Sequence, residues 1–212
     1  MVSEKLQKIL ARAGCGSRRE IERWIREERI TVNGKTAVIG DRASVEDAIR
    51  VDSKNIYMSE NQRVRVLVYN KPEGEVCTKS DPEKRKTVFD SLPVIKGERW
   101  IAVGRLDIST TGLLLFTNNG DLANKLMHPS SKVDREYLAR VHGAVDEEML
   151  QRLREGILLD DGIAKFSDIV IGERIGTNGW YTVALTEGRN REVRRLWESQ
   201  GLQVNRLKRV RF

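Results

Sequence analysis

The chain has few of the residues that staple or metallate small folds. Of 212 residues, two are cysteine (Cys15, Cys77) and two are histidine (His128, His142). One distant pair of thiols makes no disulfide framework, and these four side chains fall at no metal-ligand spacing. Free thiols in a reducing cytoplasm and no metal or cofactor are therefore expected. Proline is scarce as well, at four residues. No apolar run approaches the ~20 residues that a bilayer-crossing helix needs, and Met1 opens a polar, helix-like stretch unlike a signal peptide. What is left is a folded protein without a membrane partner.

Charge is what the chain has in quantity. Charged residues make up 33% of it, against 39% hydrophobic, and 38 Lys and Arg outnumber 31 Asp and Glu for a net charge of +7. A pI near 9.5 makes a polyanion the first partner to consider. The excess sits at the two ends. Residues 1–35 hold nine Lys and Arg against five Glu, and residues 188–212 hold eight against two. Two basic ends around a net acidic middle suggest two contacts with one nucleic acid.

Near the N-terminus, Leu6, Ile9, Leu10 and Ala13 recur at helical spacing until Gly14-Cys15-Gly16. Ser17-Arg18-Arg19-Glu20 has the form of a capping box, with Ile21, Trp24 and Ile25 as the buried stripe of a second helix. Asn33-Gly34 suits a tight hairpin turn between Ile30-Thr31-Val32 and Lys35-Thr36-Ala37. Val45, Ile49, Val51 and Ile56 complete a small sheet, and Ser59-Glu60-Asn61-Gln62 reads as a linker. The run LQKILARAGCGSRREIERWIREERITVNGKTA resembles the S4 RNA-binding domain. That resemblance implies Lys5, Lys8, Arg12, Arg18, Arg19 and Arg23 as RNA contacts.

From Val64 the pattern changes to short strands with few helices. Strands are expected at VRVLVYN, WIAV, LLLFT, YLARV, IVI and WYTVAL. Helices are expected over 121–127, 145–156 and 191–200, with Gly201 as the last cap. Hairpins outnumber βαβ units, so the expected class is α+β, a small domain over residues 1–60 followed by a mixed, mainly antiparallel sheet over 61–212.

A polar loop bounded by Gly104 and Gly112 carries Arg105 and Asp107 between two apolar strands. By themselves these two residues read as a local ion pair or turn cap. The full run GRLDISTTGLLLFTN resembles the signature of ribosomal RNA pseudouridine synthases, and YNKPEGEVCT, REYLARV, LTEGRNREVRRL and VNRLKRVR match the same family in order. The similarity is to the branch holding small-subunit synthase A and large-subunit synthases B, E and F. ARAGCGSRREIE, RWIAVGRLD and GDLANKLMHPS favour its large-subunit side.

The resemblance implies isomerisation of a uridine in 23S ribosomal RNA, free or in a large-subunit assembly intermediate, by a monomer. It makes Asp107 the catalytic carboxylate, Arg194 its salt-bridging partner and Tyr137 the ring that stacks on the base. Arg105 would hold the flipped nucleotide and Leu207 close the pocket, with Arg189, Arg191 and Lys71 also toward the substrate. Members of the family continue past the strand at 204–212 with a further turn and strand, so a shortened end is expected here. Two other readings stay open: a non-catalytic S4-type RNA-binding protein, and an N-glycoside hydrolase. Glycosidases pair two carboxylates about 5–9.5 Å apart, and no second one is evident.

Overall fold

The structure, a computed structural model, describes residues 3–57 and 63–212. The linker expected at 59–62 lies outside the described residues. The chain forms two compact units. One comprises Met1–Arg65 with Pro93–Ile101 and Thr117–Gly120, and the other Val66–Leu92, Ala102–Phe116 and Asp121–Phe212.

The first unit runs β1 (Glu4–Lys5), α1 (Leu6–Arg12), α2 (Arg18–Arg26), β2 (Ile30–Val32), β3 (Lys35–Thr36), β4 (Arg42–Ala43), β5 (Ile49–Val51) and β6 (Lys54–Ile56). Its helices form where their apolar stripes predict. Leu6, Ile9, Leu10, Ile21 and Ile25 are buried in one cluster with Ile30 and Ile49, and Trp24 packs against it. The capping box is present in full: Glu20 N donates to Ser17 Oγ, and Ser17 N donates to Glu20 Oε2. Asn33 and Gly34 both take positive φ, as the two-residue hairpin between β2 and β3 requires. Val45 falls outside the strands.

The second unit is built on β7 (Val66–Lys71), β8 (Ile101–Val103), β9 (Thr110–Thr117), α3 (Gly120–Met127), β10 (Arg135–His142), α4 (Glu147–Glu155), β11 (Ile157–Leu159), β12 (Gly162–Ala164), β13 (Asp168–Ile175), β14 (Asn178–Leu185), α5 (Glu192–Glu198) and β15 (Gln203–Arg211). Seven strands form one sheet in the order β13-β14-β10-β15-β9-β7, with β8 also on β9. The class is α+β, as expected. β13, β14, β10 and β15 pair antiparallel in turn, and β15 runs parallel to β9. The helix α5 is anchored by Trp197, which is fully buried and meets Tyr181 of β14 at 4.9 Å and Phe166 at 5.9 Å between ring centroids. Truncating a buried ring of that size costs about 3–5 kcal/mol.

The parallel pair positions the rest. Leu207 lies opposite Thr110 and Arg209 opposite Gly112. On the other side of β15, Tyr137 of β10 lies opposite Arg209. Three segments far apart in sequence thus meet at the start of β9, three residues after Asp107. The approach is close because residue 112 has no side chain. A Cβ there would stand 2.2 Å from the Arg209 carbonyl oxygen, and φ is +100°. Gly112→Ala should therefore destabilise this unit by at least about 2 kcal/mol. Urea unfolding checks it, and an unchanged midpoint would show that β9 and β15 do not approach this closely.

Candidate active site

Asp107 sits half-buried in the loop between β8 and β9, on the wall of a cleft of about 940 Å³ within the second unit. Leu106 before it is buried and Ile108 after it is exposed. A turn closes the loop, with Thr110 N donating to Asp107 O at 3.0 Å.

Two buried cations hold that turn. Lys71, at the end of β7, is 1% exposed. Its Nζ donates to the carbonyls of Ile108 (3.2 Å), Thr110 (2.9 Å) and Pro72 (2.9 Å). An ammonium has three N–H groups, so none is left over. Burial pushes the Lys71 pKa down, while Cys77, Glu75 and Asp107 favour its charged form. Gly74 N adds a fourth tie, donating to Ile108 O at 2.9 Å.

Arg194, in the first turns of α5, grips the middle of the same loop. Its Nη2 donates to Ser109 O (3.3 Å) and Oγ (3.2 Å), and its Nη1 to Val204 O (2.6 Å). The direct ion pair expected between Arg194 and Asp107 is absent among the described residues. The guanidinium reaches the backbone two residues further on, and feels the carboxylate only as a charge that favours its protonated form against the penalty of burial.

The other expected residues divide into two groups. Tyr137, Arg105, Leu207 and Arg191 all line the cleft. Tyr137 and Leu207 are buried in its wall, whereas Arg105 and Arg191 are exposed. Arg191 enters α5 in the left-handed region, at φ 48°. Arg189 and Lys71 are committed to the protein. The Arg189 guanidinium donates to Glu187 through Nε (2.9 Å), to Asp161 O and Gly162 O through Nη1 (both 3.1 Å), and to Ile163 O through Nη2 (2.7 Å). A fifth bond, from Nη2 to Glu187 Oε1 (3.1 Å), completes the set. Arg189 thus lines the cleft but braces the β11–β12 turn, and Lys71 braces the Asp107 loop, which leaves neither a donor to turn toward a substrate.

Among the S4-like residues, Lys8 and Arg12 both pair with Glu4, at 2.9 and 2.6 Å. Arg23 lies 3.7 Å from Glu27. Lys5, Arg18 and Arg19 stand exposed. None of the described helices is long and apolar enough to cross a membrane.

Comparison with known proteins gives the family. Residues 65–199 match the family model for RNA pseudouridylate synthase, and residues 4–49 match the S4 domain. The chain belongs to the RNA pseudouridylate synthase family. It is similar to "Ribosomal large subunit pseudouridine synthase B" of Haemophilus influenzae, at 61% identity over 99% of this chain and 60% of that protein. It is 62% identical to the protein of that name in Pseudomonas aeruginosa, over 100% of this chain and 55% of that one. The chain thus spans somewhat over half the length of these relatives. A solved pseudouridylate synthase aligns with a TM-score of 0.62 at 25% identity, covering 97% of this chain and 86% of the other.

The cleft also holds groups to which the sequence motifs assigned no role. Arg135 is buried and donates to the carbonyls of Val133, Thr186 and Leu126. Arg209 is buried beside Tyr137. The signal for both was strand phase, since each shares the inward face with an apolar or aromatic neighbour two residues away.

Glu192 is the third such group. Its Oε2 accepts from Arg189 N at 2.9 Å, and its Oε1 is buried without a partner. Burial first, then the neighbouring Glu187, push its pKa up to about 7. Folded Glu192 thus keeps its proton over a range where the unfolded residue, near 4.5, has lost it. Its stabilising contribution is complete below pH 4.5 and fades as pH rises toward 7. Glu192→Gln mimics the protonated form. It should match the parent protein below pH 4.5 and unfold at higher temperature above pH 7. Parallel stability curves from pH 4 to 8 would contradict the shift.

Proposed function

We propose that this chain isomerises a uridine of 23S ribosomal RNA to pseudouridine, with Asp107 as its catalytic carboxylate. The observation that carries the reading is the clamp on Asp107. Buried cations from β7 and α5 fix the three residues that follow it, yet leave the carboxylate half-exposed on the wall of a cleft. Fixing a reacting group in place is the part of catalysis that a fold can supply before substrate arrives.

The cleft supports the remaining roles. Tyr137 offers a ring in the wall for the target base to stack on, and Leu207 closes the same wall. Arg105 and Arg191, exposed at the cleft, are placed to meet phosphates or the flipped nucleotide. Arg194 acts on Asp107 through the Ser109 backbone and through its charge. The name shared by the similar proteins of Haemophilus influenzae and Pseudomonas aeruginosa supports large-subunit ribosomal RNA as substrate. In the S4-like unit, exposed Lys5, Arg18 and Arg19 would bind RNA phosphates, with Lys8, Arg12 and Arg23 available to exchange their carboxylate partners for phosphate.

The test is pseudouridine mapping of unmodified 23S ribosomal RNA, alone and in large-subunit precursors, with and without the protein. Release of tritium from C5-labelled uridine follows the same reaction. One new pseudouridine should form with the parent chain. Asp107→Asn, which keeps the shape and removes the charge, should abolish turnover while RNA affinity changes by less than about tenfold, or roughly 1.4 kcal/mol. Binding without any modification would favour a non-catalytic RNA-binding protein. Free uracil would favour a hydrolase.

A further inference from the structure

Arg209 is a buried cation of the cleft with a donor that the protein leaves unpartnered. It is 2% exposed and lies in the cleft wall. As the register partner of Tyr137 across β10 and β15, it leaves the sheet on the same face as that ring. Its orientation is set from two sides. The Nε donates to Leu113 O at 2.7 Å, and the guanidinium lies over the Phe212 ring, 4.8 Å from the centroid. Arg135 meets the same ring at 5.0 Å.

The Nη2 of Arg209 is buried with no hydrogen-bond partner, and among the described residues no carboxylate pairs with it. Compare Lys71, whose three N–H groups go to three carbonyls. A guanidinium keeps its proton, and a buried charge without a counter-charge is strongly unfavourable. Burial accordingly pushes the Arg209 pKa down, while Tyr137, by its charge and by a hydrogen bond to the guanidinium, favours the charged form. A cation fixed in place, desolvated and left one donor short is prepared for a negatively charged ligand.

The function proposed above, on which this inference rests, supplies such a ligand. When the N1–C1′ bond breaks, its electron pair stays with the base. The Asp107 carboxylate either bonds to C1′ or takes the C2′ proton, and by both routes the uracil ring is released as an anion. Its charge is spread over N1, O2 and O4. When the ring rejoins through C5, C5 bonds to C1′ and displaces the Asp107 carboxylate if that had bonded there, or C2′ recovers its proton if it gave one up; C5 then loses its proton and N1 gains one, so the base is neutral again. The anion exists only between the two bonds. A donor that meets it there stabilises the barrier region more than the substrate.

We propose that Arg209 is a catalytic residue of this cleft, whose Nη2 donates to a carbonyl oxygen of the detached uracil ring and stabilises its negative charge. Stacking on Tyr137 would bring the edge of the base to this guanidinium.

The test varies the base as well as the protein. The full chain is assayed in single turnover on a 23S ribosomal RNA stem-loop carrying the mapped target uridine, and on the same RNA with 5-fluorouridine there. Fluorine stabilises the released anion, so a base that needs less help should miss Arg209 less. Arg209→Met should slow loss of uridine about 100-fold, yet slow 5-fluorouridine less than about tenfold. RNA affinity should stay within about threefold in this account. Arg209→Lys should show the same ordering with smaller losses, and it carries the comparison if Arg209→Met does not fold. Equal slowing on both bases, or none, overturns the proposal, as does failure of both variants to fold. If the parent chain modifies neither RNA, the function proposed above fails first, which separates the two claims.

Discussion

The structure depends on a short loop with a half-exposed carboxylate being kept rigid without being covered. Two buried cations solve this by bonding to the backbone around Asp107 and leaving its side chain alone. Lys71 takes the carbonyls of Ile108 and Thr110, and Arg194 takes both oxygens of Ser109. Hydrogen bonds from a charged donor contribute about 1.5–3 kcal/mol each, roughly twice a neutral one. The cations come from elements far apart in sequence, so the loop keeps its shape only when β7 and α5 are both docked.

The same economy organises the sheet. One parallel pairing, β15 against β9, brings the Asp107 loop beside Tyr137, Leu207 and Arg209. The β10–β14, β10–β15, β11–β12 and β13–β14 pairings are all antiparallel. The parallel contact closes the chain's late basic segment onto its middle. Part of the C-terminal charge excess therefore does structural work inside the unit. Arg189 and Arg195 hold Asp161 and the β11–β12 turn, and Arg194 holds the loop.

Much of the fold was legible in the sequence because its signals are local. The Ser17–Glu20 capping box, the Asn33-Gly34 turn and the apolar stripes of α1 and α2 each specify their element through neighbours a few residues away. The β11–β12 hairpin was not foreseen, since ILL and GIA are too short for periodicity to register and their turn is secured by Arg189 from 26 to 28 residues away. For the site, the motifs led to residues that the structure gathers around one cleft, but not to their partners. Whether a cation faces phosphate or carbonyl is decided by burial, which charge alone does not encode. Lys71 and Arg189 look identical in sequence to phosphate contacts, and the structure turns both inward. Arg209 shows the converse: its inward phase on β15 was visible, but its missing partner was not.

The central claim is that the clamp on the Asp107 loop is local and depends on buried charge. Amide hydrogen exchange in a Lys71→Met variant tests it most directly, because methionine fills the volume of the lysine and removes its donors. Two amides report on the loop, Thr110 N bonded to Asp107 O and Gly74 N bonded to Ile108 O. In the variant both should exchange roughly ten- to a hundredfold faster, while amides of β10 and β14 keep their protection. Unchanged exchange at Thr110 and Gly74, or an equal rise across the whole sheet, would contradict the clamp.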